Sequence, residues 1–270
     1  MREVKIALVQ MAPRLGEVGE NLARMAKYVE EISLEQRVDL ILFPELATTG
    51  YENGVRFTDL AEKVPGHAVN LMAQQAREFN THIVFGMPVK EKVESIIYDA
   101  LVMIGPDGDV MGDYRKLHPR GEERLAFRPG FKLDVFPTAF GNVGLVVGWD
   151  LAFPEVTRVL ALEGAELLCV GASFERPYVE DWETYLSARA LENSVFVAAA
   201  NRVGEDPGYD FFGRSAIRGP RGEEHASLDD DVEGYVVGTV DLDDVRKYRE
   251  EFQLFQIRQP TAYRMVVKRY

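Results

Sequence analysis

Positions 45, 116, 123 and 148 carry the chain's chemically informative residues, each near the end of a predicted element. Gly144 to Val147 is an apolar run, the pattern of a short strand buried on both faces. It ends in Gly148-Trp149-Asp150, after which Val156, Leu160 and Leu162 mark the apolar face of a helix. Strand, sharp turn and helix make an elbow, the geometry that lifts one side chain out of a sheet toward a substrate. Glycine at that point brings no nucleophile, and by itself it reads as a turn residue where the backbone needs a positive φ. Asp39 to Phe43 is another short buried strand, and Pro44 cannot continue a central strand. Glu45 therefore sits just past its carboxyl end, the edge where open α/β sheets bind ligands. Lys116 closes a predicted strand, with Glu122 and Glu123 in the loop after it. Taken singly, an acid or lysine at such a place is a solvated loop residue.

Taken together, the segments resemble one family. Trp149, Asp150 and Phe153-Pro154-Glu155 resemble the elbow of the nitrilase superfamily of carbon–nitrogen hydrolases, which usually reads Cys-Tyr/Trp-Asp followed by Phe-Pro-Glu. Position 148 is where that family carries its attacking cysteine. Phe43-Pro44-Glu45 with Gly50-Tyr51 resembles the segment that supplies the general base, and Tyr114-Arg115-Lys116-Leu117-His118 resembles the catalytic-lysine segment. Glu123, by its spacing to Phe127 and Pro129-Gly130, resembles a second glutamate lining the site, with Glu122 as its rival. Pro119 departs from the leucine of many relatives. Arg189 to Asn193, Val195 to Gly204 and the ending Arg258 to Tyr263 extend the resemblance over essentially the whole chain.

Hydrolysing an amide takes a nucleophile, a base that removes its proton and later activates water, and a cationic or N–H donor for the tetrahedral oxyanion. The resemblance implies that Glu45 is the base, that Lys116 stabilises the oxyanion with the Trp149 backbone N–H, and that Glu123 orients Lys116 or the substrate nitrogen. It also implies that Tyr51, Trp149, Ser173, Phe174 and Arg176 shape the substrate pocket. Arg176 could meet a substrate carboxylate, although its default reading is a surface arginine. Cys169, the single cysteine, falls inside a predicted strand and reads as a small core residue, not a substitute nucleophile. The expected activity is that of a hydrolase of small amides or N-carbamoyl compounds with its nucleophile missing, so that substrate binds and is turned over negligibly. Gly148 is then either a substitution made to hold intact substrate or the mark of a natural non-catalytic relative that binds a ligand or partner.

The elements that must position these residues alternate strand and helix at both ends of the chain, with antiparallel pieces between, which gives an α/β class. The resemblance narrows this to a single domain over 1–270 with a four-layer α-β-β-α sandwich. The 46% hydrophobic content suits a folded soluble chain, and the net charge of −13 opposes nucleic acid and anionic membrane surfaces as partners. No signal peptide and no apolar run long enough to cross a bilayer is read, so a cytoplasmic address is expected. His67, His82, His118 and His225 are far apart and no Cys/His cluster exists, so neither a metal site nor a cofactor is expected. Relatives of this kind form homodimers or larger homo-oligomers, which is the expectation here.

Overall fold

The computed structural model describes residues 1–91, 96–229 and 231–268. Its first half runs β1 (Glu3–Gln10), α1 (Val18–Glu35), β2 (Leu40–Leu42), α2 (Phe57–Leu60), α3 (His67–Phe79), β3 (His82–Lys90), β4 (Ile97–Ile104), β5 (Val110–Arg115) and α4 (Glu123–Ala126). The second half runs β6 (Val135–Pro137), β7 (Asn142–Val147), α5 (Pro154–Leu162), β8 (Leu167–Ala172), α6 (Val179–Asn193), β9 (Phe196–Asn201), β10 (Val203–Asp206), β11 (Tyr209–Phe212), β12 (Ala216–Arg218), β13 (Glu224–Ser227), β14 (Gly234–Asp241) and α7 (Asp243–Phe252).

Two six-stranded sheets result, in the orders β14-β1-β2-β3-β4-β5 and β13-β12-β9-β8-β7-β6. In each, the strands linked through helices run parallel (β1-β2-β3 and β7-β8-β9), and the flanking strands pair antiparallel. The central strands are apolar on both faces because each sheet is covered twice. Leu8, Leu42, Leu101, Leu145, Cys169 and Phe196 meet between the sheets. Met25, Val29 and Met72 of α1 and α3 cover the outer face of the first sheet, and Leu160, Trp182 and Leu186 of α5 and α6 cover that of the second. This is the four-layer sandwich that the family resemblance implied. Unforeseen were β6 and the hairpin of β10 and β11, whose polar alternation is too short to stand out. At the start of α7, Leu242 holds the cap position and Asp241 Oδ1 accepts the Asp243 N–H at 3.0 Å.

The parallel strands β2 and β7 both end at the same rim, and so does β5 through its loop. One close approach there depends on a glycine. A Cβ on Gly86 of β3 would lie 2.4 Å from Leu46 N, 2.5 Å from Pro44 O and 2.6 Å from Glu45 Cα, all of them backbone. The chain leaving β2 can cross β3 only because that side chain is missing. Gly86→Ala is expected to cost about 1–3 kcal/mol by overpacking and to push Glu45 out of place. Denaturant melts check it, and unchanged stability would show that the loop yields freely.

Candidate active site

Glu45 follows the β2 strand and is held in place by neighbouring backbone: Gly86 N–H donates to Pro44 O at 3.1 Å, and Ser173 Oγ donates to Glu45 O at 3.3 Å. Lys116 follows β5, its N–H donating to Asp99 O at 2.9 Å and its own carbonyl accepting Gly130 N–H at 2.8 Å. Glu123 opens α4, one turn of helix that returns the chain toward Lys116. These three side chains meet. Lys116 Nζ donates to Glu45 Oε1 at 2.6 Å and to Glu123 Oε1 at 2.7 Å, with the three side chains between 1% and 5% exposed. Glu122 is exposed and stays outside the cluster.

Gly148 faces the same point from the second sheet. Its φ is +43°, so the turn does need the left-handed backbone that glycine adopts easily. A Cβ built there would lie 2.6 and 2.8 Å from the two carboxylate oxygens of Glu45. Trp149 is next in the 3-10 turn Gly148–Ala152, and the first amides of such a turn have no partner within it. Asp150 ties this turn to the lysine loop. Fully buried, it accepts from Tyr114 OH (2.6 Å), Leu117 N–H (2.9 Å), His118 N–H (2.8 Å) and His118 Nδ1 (2.7 Å). From the other side, Arg189 of α6 donates to Leu151 O and Ala152 O at 2.9 and 3.0 Å. The Arg189 segment, which from sequence only extended the resemblance, packs against the elbow.

Tyr51 joins the cluster through its hydroxyl, which donates to Glu123 Oε1 at 2.5 Å, and Asp206 of the unforeseen hairpin accepts the Tyr51 N–H at 2.9 Å. Ser173 and Phe174 are buried beside Glu45 and Trp149; the Phe174 and Trp149 rings lie 5.6 Å apart. Arg176 is not drawn in: its guanidinium pairs with Asp210 and Asp231 at the surface. Cys169 lies fully buried between the sheets, where burial alone pushes its thiol pKa far up, so it is a core residue. Sequence reading missed Asp99. This β4 residue is buried 3.6 Å from Lys116 Nζ, on a strand whose apolar run gave no hint of a site.

Burial opposes the Lys116 charge, yet the carboxylates of Glu123 and Glu45 outweigh it and hold the ammonium well above the usual lysine range. Burial likewise holds Tyr51 as the neutral phenol, with Lys116 opposing. Such a group of charges can take a proton from an acid and stabilise a nearby oxyanion. Outside it lies a cavity of about 430 Å³ lined by Leu117, Arg124 and Trp149, the residues that directly follow Lys116, Glu123 and Gly148. Among the described residues, no cluster of His, Cys, Asp and Glu could hold a metal ion, and no helix is long and apolar enough to cross a membrane.

The profile of the carbon-nitrogen hydrolase family matches residues 5–250. The chain belongs to the nitrilase superfamily. A probable nitrilase of Schizosaccharomyces pombe is 42% identical over 98% of this chain and 99% of its own length. A nitrilase of Pyrococcus abyssi is 36% identical over 91% and 93%. Among solved structures, a carbon-nitrogen hydrolase from Helicobacter pylori shares the fold with a TM-score of 0.89, covering 99% of both chains at 24% identity. A glutamate-to-glutamine mutant of the amidase from Nesterenkonia sp., with the acetamide moiety of fluoroacetamide added covalently at its active-site cysteine, superposes with a TM-score of 0.85. It is 26% identical over 97% of this chain and 95% of its own.

In this superfamily member the buried charges depend on Lys116. Lys116→Met leaves its carboxylates without a cation and is expected to lower stability at pH 7 by about 3–5 kcal/mol. Chemical melts of parent and variant at pH 7 check this, and equal stability would contradict it.

Proposed function

We propose that this chain holds a small amide or N-carbamoyl compound at a carbon–nitrogen hydrolase site and turns it over negligibly. The observation that carries the reading is the direction of position 148: a Cβ built there falls 2.6 Å from the Glu45 carboxylate, closer than contact, so a side chain at 148 meets that acid once the acid shifts slightly aside. A cysteine at that point could pass its thiol proton to Glu45 and attack the substrate carbonyl. Lys116 and the Trp149 N–H would meet the oxyanion, Glu45 would return the proton to the departing amine, and water activated by Glu45 would then cleave the thioester. With glycine there is no sulfur to acylate. Glu45 and Lys116 remain to grip the amide, which supports binding without the covalent step.

The cavity outside the cluster bears on substrate type. Arg120, Arg124 and Arg128 line it and, among the described residues, no carboxylate does, in a chain of net charge −13. Arg120 pairs with Glu175 and lies over the Trp149 ring at 4.4 Å, whereas Arg124 and Arg128 have no carboxylate partner among the described residues. This favours an amide that carries a carboxylate of its own, a role that sequence reading offered to Arg176.

Two assays test the reading. Hydrolysis of small amides by the parent chain should stay near the buffer rate, and Gly148→Cys should raise it by about a thousandfold or more, after a backbone cost of about 1–2 kcal/mol at that positive φ. Equal rates would refute the assignment of position 148. In calorimetric titrations of the parent, succinamate should bind about tenfold or more tighter than neutral butyramide, as a hydrogen bond to a charged group is worth about 1.5–3 kcal/mol. Equal affinities would remove the anionic substrate class.

A further inference from the structure

Asp99 takes no part in the chemistry described above. Its side chain is fully buried, and neither carboxyl oxygen has a hydrogen-bond partner among the protein's ordinary donors. Lys116 Nζ is 3.6 Å away, beyond a good hydrogen bond, and already gives shorter bonds to Glu45 and Glu123. With all three acids ionised, a site closed to water would hold three negative charges against one positive. A buried carboxylate without hydrogen bonds is too costly to persist and takes up a proton instead. The resulting O–H needs an acceptor, and Glu45 is the neighbouring carboxylate: both acids meet the same Lys116 Nζ, Glu45 at 2.6 Å and Asp99 at 3.6 Å. Burial, then the Glu45 charge, drive Asp99 toward the acid form; the Lys116 charge opposes them. The other groups facing it are Glu123 and, on the next strand, Tyr114.

We propose that Asp99 is a neutral carboxylic acid that donates its proton in a hydrogen bond to Glu45, so that the two acids hold one proton beside Lys116. Glu45 is then gripped from two sides, by an ammonium at Oε1 and by an acid O–H, with Oε2 toward Gly148. Asp99 is thus a positioning residue for Glu45. The proton is a property of the pair. The functional meaning rests on reading Glu45 as the site's base, but the proton itself can be tested without any substrate.

The test compares the parent with Asp99→Asn, which keeps the shape and a donor but cannot ionise. An aspartate that stays protonated when folded, yet ionises above about pH 4 when unfolded, gives the parent a stability that is full below that pH and lost as pH rises. The asparagine variant lacks this loss. The unfolding constant of the parent, divided by that of the variant, should therefore rise about tenfold per pH unit between pH 5 and 7. A flat or falling ratio would overturn the proposal, since it means that folding leaves Asp99 as easily ionised as before or more so. Infrared spectra of the parent with isotope-labelled aspartate give the second reading and need no variant to fold. A protonated-carboxyl band of an aspartate that persists at pH 7 is expected, and its absence overturns the proposal. A parent that shows the band and binds no amide would instead count against the functional reading alone.

Discussion

One ammonium surrounded by carboxylates, shut away from water, is the constraint on which the rest of this structure depends. Lys116 Nζ lies 2.6 Å from Glu45 and 2.7 Å from Glu123, with Asp99 at 3.6 Å. Such an arrangement does not assemble for stability, because desolvating these charges costs several kcal/mol per ion and their attraction repays it only with good geometry. The surrounding elements supply that geometry. Tyr51 adds a hydrogen bond to Glu123, the Arg120 N–H adds another at 2.9 Å, and the β10–β11 hairpin holds the Tyr51 backbone through Asp206.

The same logic explains why two sheets are needed. Glu45 and Lys116 come from the first sheet and Gly148 from the second, so sheet packing sets their separation. The Leu42, Leu101 and Leu145 layer between the sheets fixes that packing, and Asp150 locks the two rims together through four bonds to the β5 strand and its following loop. His118 takes part twice: it binds Asp150 and stacks on Phe153 with ring centres 3.6 Å apart. With glycine at 148 this framework is intact, because nothing in it bonds to a side chain there.

Much of this was legible in the sequence, for identifiable reasons. Central strands such as Gly144–Val147 and the one that holds Cys169 announce themselves because both faces are covered, and Pro44 marks where β2 must stop. Glu45, Lys116, Glu123 and Gly148 stood out through motif resemblance, and the fold does gather them at one point. Asp99 was hidden because an acid inside an apolar strand signals nothing until neighbouring strands are placed around it. Arg176 was misleading for the converse reason: its loop lies near the site, but Asp210 and Asp231 claim its charge. The hairpin from Val203 to Phe212 was lost among short polar alternations whose pairing depends on tertiary contacts.

A complete charge cluster with glycine at 148 should keep an amide whole. Crystals of the parent chain soaked with a small amide, and held for days before data collection, test this most directly. The expected result is density for the intact amide, its carbonyl oxygen toward Lys116 and the Trp149 N–H, next to an unmodified Gly148. Density for the hydrolysed acid, or a site that stays closed with no ligand between Glu45 and Gly148, would contradict it.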